Sequence, residues 1–242
     1  MKKYFLAFLM FITPNLVLRH LLMLFRINVG KNFKIGFSIL IASKISIDQN
    51  VSIGHLNFIN VDQFKMGNKS YIGFMNIIKG PFDIILKETA AVGKLNTITR
   101  AKKPITSGYS KLELGILVKV NSFHFLDLTK SIIVGDYSTF AGLRSQIWTH
   151  GYVLNYKGIS RYRIDGEVII GDNVYIGSGS IINSGVKICN SVMLGAGSNI
   201  TNNITNKGLY TSVNPKRIMD NHFDIKETLK KTSNKIEEVY ER

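Results

Sequence analysis

Residues 168–200 read VIIGDNVYIGSGSIINSGVKICNSVMLGAGSNI, and an aliphatic side chain returns at Ile170, Ile176, Ile182, Ile188, Leu194 and Ile200 without a miss. Two residues earlier runs a second series, Val168, Val174, Ser180, Val186 and Val192, while Gly171, Gly177 and Gly195 follow members of the first. A step of six fits neither the 3.6-residue helix nor the alternating strand. It is explained if each unit is a short strand plus a turn and three units close one triangular coil. Stacked coils would then bury a column of Ile and Val, with Gly giving the backbone freedom at corners.

The same rhythm opens at Val29, Ile35, Ile41, Ile47, Ile53 and Ile59, beside Gly30, Gly36 and Gly54. After a one-residue shift it resumes at Met66, Ile72, Ile78 and Ile84, and Leu128, Val134 and Phe140 keep the step. It is poorest over residues 85–127, where a protruding loop that selects the acceptor is expected, and it breaks over 148–167. The expected architecture is an all-β solenoid spanning 27–218, flanked by an apolar helical segment over 1–26 and a helix over 219–242. That last helix is inferred from Phe223, Ile225, Leu229, Ile236 and Val239, which share one face at helical spacing.

The amino-terminal segment carries Lys2 and Lys3, an apolar run from Tyr4 to Ile12, the break Thr13-Pro14-Asn15, and a second apolar run from Leu16 to Phe25. The first run is too short to span a bilayer, and no A-x-A cleavage pattern follows it. Asn15, Arg19 and Arg26 fall at helical spacing opposite a wide apolar face. This fits an amphipathic helix on a membrane surface, and equally a cap on the open end of the solenoid; the two roles are compatible.

Lys and Arg number 31 against 16 Asp and Glu, a formal charge of +15, which points to an anionic partner. Without zinc-finger spacing or an aromatic RNA-binding signature, nucleic acid is disfavoured. One cysteine, Cys189, allows no internal disulfide and sits inside the repeat, so a reducing, cytoplasmic compartment is expected, with peripheral placement at the inner membrane face. His20, His55, His124, His150 and His222 are scattered without a paired motif, so no metal site is expected.

Chemistry is expected where the repeat is interrupted, at Ser145-Gln146-Ile147-Trp148-Thr149-His150-Gly151-Tyr152. Together with the repeat, this segment resembles the hexapeptide-repeat, left-handed parallel β-helix acyltransferases, in their sugar and polysaccharide O-acetyltransferase branch. The resemblance covers roughly residues 27 to 218. It implies that His150 is the general base that deprotonates an acceptor hydroxyl, with Trp148 as a substrate-binding residue beside it, and that the hydroxyl attacks acetyl-CoA directly with no enzyme nucleophile. It implies an acceptor site at Asn121 and Asp127 in the stretch Asn121-Ser122-Phe123-His124-Phe125-Leu126-Asp127, where Asp127 either holds a sugar hydroxyl or orients His150; the spacing from Asp127 to Gly135 departs from the family's. His124 fits a corner or core position. Gly142 and Ser145 lie in the stretch that would stabilise the oxyanion.

The donor side is carried by Leu194-Gly195-Ala196-Gly197-Ser198-Asn199-Ile200-Thr201, similar to the family's coil along the pantetheine arm, which implies cofactor contacts at Gly195, Ala196 and Thr201, with Tyr175 as an aromatic neighbour. Ser212-Val213-Asn214-Pro215-Lys216-Arg217-Ile218 resembles the closing motif but lacks its Gly and Ala; Lys216 and Arg217 would face the CoA phosphates. A homotrimer with sites shared between subunits is implied. The expected function is transfer of acetyl from acetyl-CoA to a sugar hydroxyl in surface polysaccharide (capsule or lipopolysaccharide-type) biosynthesis. The alternatives are N-acylation of an amino sugar, or a non-catalytic β-helix that binds polysaccharide or membrane.

Overall fold

In the computed structural model, which describes residues 2–102, 104–154, 161–212, 230–232 and 239–241, the aliphatic series becomes the spine of a parallel β-solenoid. Three runs of stacked strands form its faces. The first stacks Val29, Ile47, Met66, Leu86, Leu114, Val134, Ile170 and Ile188 in register. A second stacks Ile35, Ile53, Ile72, Val92, Val120, Phe140, Ile176 and Leu194. The third stacks Leu40, Ile59, Ile78, Ile98, Leu126, Ile147, Ile182 and Ile200. In the middle of the chain Leu126, not Leu128, takes the strand position, though both are buried. These inward side chains are almost all removed from solvent, each contributing about 1.5–3 kcal/mol. This is the architecture of the left-handed parallel β-helix.

Glycine serves two roles, of which corner flexibility is one. Gly93 follows the inward Val92 with an ordinary backbone, but a Cβ there would lie 2.1 Å from the carbonyl oxygen of Asn121 on the next coil. The repeat glycines therefore permit coils to stack closely. Left-handed backbone at the corners is taken by other glycines, Gly179 (φ 67°), Gly185 (φ 80°) and Gly197 (φ 70°), and also by residues such as Asn50 (φ 57°), Lys69 (φ 56°) and Thr89 (φ 57°).

Two helices close the amino-terminal end. In α1 (Lys2–Ile12) Leu6 and Met10, and in α2 (Asn15–Leu24) Leu18 and Leu22, join the solenoid's hydrophobic core. Asn15 Oδ1 accepts the backbone N–H of Ile35 at 2.9 Å, pinning the start of α2 to the first coil. The segment is thus a cap. Its other face leaves Phe5, Phe8, Phe11, Leu16 and Leu24 exposed. No helix among the described residues is long and apolar enough to cross a membrane.

Met1–Ser212 forms one compact unit and Val213–Arg242 a second. The helix expected over 219–242 is corrected where the second unit is described: Lys230–Thr232 and Val239–Glu241 pair as antiparallel strands, with Lys230 opposite Glu241. Thr232, Val239 and Tyr240 are β-branched or aromatic and favour extended backbone. The rest of that segment lies outside the described residues.

One interior corner is polar. Between the second and third faces, Ser38, Asn57, Asn76, Asn96, His124 and Ser145 are buried one above another. Each Asn accepts the backbone N–H of the next member through its Oδ1, and His124 Nδ1 accepts that of Ser145 at 3.1 Å. His124 is therefore a structural rung, and Ser145 N–H is committed to it, which removes that donor from oxyanion binding. Burial pushes His124 down to about 4. As pH falls from about 6.5 to about 4, the unfolded chain takes up a proton that the folded chain refuses, so stability is lost across that window, by about 3 kcal/mol at its lower end. His124→Asn, which can fill the rung as its neighbours do, is expected to abolish most of the difference in thermal midpoint between pH 7 and pH 5.

Candidate active site

Most coils repeat every 18 to 20 residues, but two stacked steps lengthen to 28 and 36. Both insertions leave at the corner between the third and first faces. One is the loop between Thr99 and Lys111. The other begins at His150 and forms an antiparallel hairpin, His150–Leu154 with Arg161–Asp165, which Gly166 closes by donating its N–H to Thr149 O at 2.9 Å. Arg163 ties the two together. It makes a bidentate pair with Asp165, at 2.6 and 2.9 Å, and its Nη1 donates to the Ile105 carbonyl.

Asp127 ends the third-face strand Phe125–Asp127, one coil below Trp148, so stacking alone brings it beneath His150. His150 Nδ1 lies 2.8 Å from Asp127 Oδ2. That oxygen also accepts Thr149 N–H at 3.0 Å and lies 2.7 Å from Thr149 Oγ1, while Oδ1 accepts from Thr129 N at 3.3 Å and Thr129 Oγ1 at 3.0 Å. Five donors thus converge on one carboxylate whose side chain is 8% exposed, against 25% for His150. With its proton on Nδ1, facing Asp127, the imidazole keeps the Nε2 lone pair free for an incoming hydroxyl. Trp148 stacks on Phe125 (4.8 Å) and meets His150 edge-on (6.1 Å), and Tyr152 meets the other side of the imidazole at 5.8 Å. Trp148 Nε1 donates to Gln146 Oε1 at 2.9 Å, which fixes the indole.

Of the sequence-derived residues, His150, Asp127 and Trp148 come together. Asn121 does not: it lies on the second-face strand Lys119–Ser122, and its carbonyl is used by Asn96. Tyr175 is on the same face, 43% exposed, and Gly195-Ala196 turns the corner beyond it. Thr201 follows the third-face strand Asn199–Ile200, on the edge that carries His150. Within one chain Tyr175, Gly195 and Ala196 therefore sit away from His150, whereas Thr201 shares its corner and Asn121 shares the face of Tyr175. Lys216 and Arg217 lie outside the described residues. Sequence reasoning missed Thr129 and Arg100; an Asp-x-Thr pattern at 127–129 was the available signal for the first. Among the described residues no group of His, Cys, Asp and Glu is arranged to hold a metal.

Coil, corner and histidine define a hexapeptide-repeat β-helix with a carboxylate-held imidazole at the mouth of an inserted hairpin. Residues 167–202 match the family described as bacterial transferase hexapeptide (six repeats). The bifunctional protein GlmU of Staphylococcus haemolyticus is 26% identical over 186 residues, which is 75% of this chain but 39% of GlmU, so the chain spans well under half the length of that relative. A Bacillus subtilis protein described as a putative acetyltransferase, YvoF, is 28% identical over 168 residues, covering 67% of this chain and 87% of YvoF. Among solved structures, the polySia specific acetyltransferase NeuO matches over 89% of this chain and 80% of its own, at 12% identity and a TM-score of 0.43. A point mutant of AntD, an N-acyltransferase from Bacillus cereus in complex with dTDP and coenzyme A, matches over 89% and 94%, at 16% identity and a TM-score of 0.36.

Proposed function

We propose that the protein is an acyltransferase that moves an acetyl group from acetyl-CoA to a sugar hydroxyl in surface polysaccharide biosynthesis, with His150 as the general base. The observation that carries this reading is the Asp127–His150 pair at 2.8 Å, which leaves Nε2 open beside a fixed indole. Similarity of the repeat to the transferase hexapeptide family, and of the chain to YvoF, supports acyl transfer as the reaction class. In this reading His150 Nε2 removes the acceptor hydroxyl proton as the oxygen attacks the thioester carbonyl. The tetrahedral intermediate then collapses, the C–S bond breaks, and the imidazolium returns its proton to the leaving thiolate. Asp127 stabilises the transient imidazolium.

Tyr175, Gly195, Ala196 and Thr201 would line the arm of the donor, with Lys216 and Arg217 at its phosphates. Because Tyr175 and Gly195 sit away from His150 within one chain, we place the complete site between subunits of a homotrimer. Incubation with acetyl-CoA and a panel of neutral, acidic and amino sugars tests the reaction, with NMR of the product. Acetyl on oxygen supports the proposal, acetyl on nitrogen replaces it with amino-sugar N-acylation, and no acetylated product on any acceptor rejects it.

We further propose that the work is done at the cytoplasmic face of a membrane. The outer side of the helical cap exposes Phe8 (58%), Leu16 (88%) and Leu24 (78%), while Lys2, Lys3, Arg19 and Arg26 belong to the same segment. Such a surface suits anionic lipid. Vesicles containing phosphatidylserine are expected to sediment the protein, and phosphatidylcholine vesicles much less. Replacing Phe8 and Leu16 by Ser should release it, and equal sedimentation of that variant would contradict the assignment.

A further inference from the structure

At the same corner as His150, nearer the amino terminus, lies a cavity of about 670 Å³ that the proposed chemistry does not use. Its wall is a ladder. Asn60, Lys79 and Thr99 stack in register on successive coils and line it, and the next rung above Thr99 is Asp127, the carboxylate that holds His150. One strand spacing, about 4.8 Å, separates adjacent rungs. The cavity thus ends one rung short of Asp127, and a ligand reaching from it to His150 would extend on the order of 10–15 Å along the corner.

The lining is basic. Lys3 from α1, Lys79, Arg100 and Lys102 contribute four cations against one carboxylate, Asp62. Among the described residues none of the four makes an ion pair. Arg100 is the decisive one. It is 7% exposed, yet every acceptor it has is a neutral carbonyl: Pro81 O at Nη1, and Ser107 O and Gly108 O at Nη2, both 2.9 Å. Its Nε is buried with no acceptor at all. Asp62, Asp127 and Asp165 act on it only at a distance, and burying a guanidinium with an unsatisfied donor and no carboxylate in direct contact is unfavourable unless an anion completes it. The same three carbonyls hold the fork, and two of them, of Ser107 and Gly108, belong to the inserted loop that Arg163 of the hairpin also grips. The sequence carries the matching signal, a net +15 that a core of Ile and Val does not require.

We propose that this cavity takes an anionic group of the acceptor glycan, a carboxylate or a phosphate one or two residues from the hydroxyl at His150, and that Arg100, Lys79 and Lys102 select it. The inference rests on the acceptor being a sugar, as proposed above, but its test does not depend on turnover. Full-length protein is applied to an array of neutral, carboxylated and phosphorylated glycans. Retention is expected on anionic glycans only, with the carboxylated or the phosphorylated set naming the source, and it should weaken as salt is raised. Lys79→Gln with Lys102→Gln is expected to lower retention about fivefold or more at an unchanged thermal midpoint. Arg100→Lys keeps the charge but loses the planar fork and should weaken binding as well. His150→Ala should be retained like the wild type, so a failure of the catalytic reading shows itself separately, as retention without acetylation. Equal retention of neutral glycans, no glycan retained at all, or full retention by the double lysine variant would overturn the proposal.

Discussion

His150→Ala is expected to lower acceptor-dependent acetyl transfer by about 10²–10⁴-fold while leaving the fold intact. The asymmetry follows from the geometry. The side chain of His150 is 25% exposed, and its polar contacts are both at Nδ1, to Asp127 Oδ2 at 2.8 Å and to Thr129 Oγ1 at 3.2 Å. When it is removed, Asp127 still has Thr149 N–H, Thr129 N–H and two threonine hydroxyls around it, so no buried carboxylate is stranded. The catalytic loss should therefore appear in kcat, without a matching fall in the thermal midpoint. A large loss of stability in this variant would show that the histidine is a structural rung, as His124 is.

Asp127→Asn should damage both properties. An amide oxygen can replace only one of the two carboxylate oxygens, and both positions face a backbone N–H: Thr129 N at Oδ1 and Thr149 N at Oδ2. Whichever way the amide turns, its NH2 meets a donor that cannot move. If the NH2 sits at Oδ2, it also faces His150 Nδ1 and favours the tautomer with the proton on Nε2, where the base must be free. If it sits at Oδ1, it opposes the main chain of Thr129. The expected result is a loss of transfer of about 10²-fold or more, with destabilisation of about 1–3 kcal/mol from the unsatisfied buried groups. Both readouts are needed: thermal denaturation measures the second, and initial rates at saturating acetyl-CoA measure the first.

The fold was legible because its signal is local. Each inward Ile or Val lies in the same six-residue frame as its neighbours, so spacing along the chain maps directly onto the interior column. The pairing of Asp127 with His150 was within reach for the same reason, since residues about one coil apart stack. The glycines were legible only in part, because two physical demands, left-handed backbone and close approach, call for the same residue; only coordinates separate Gly93, which clears a carbonyl, from Gly197, which bends the chain.

Arg100 was hidden for a different reason. Its importance comes from what surrounds it, and the rung from Thr99 to Asp127 crosses an insertion that breaks the frame. Of the five apolar residues whose spacing suggested a helix after Ile218, only Val239 is described, and it lies in the extended segment Val239–Glu241.

Base catalysis on an acceptor by the Asp127–His150 pair is the central claim. The direct measurement is release of free CoA from acetyl-CoA by the full-length protein, with and without acidic glycan acceptors, in wild type and His150→Ala. Release that requires an acceptor in the wild type and falls at least a hundredfold in the variant is the predicted result. Acceptor-dependent release that persists unchanged in His150→Ala, or no acceptor-dependent release at all, would contradict it.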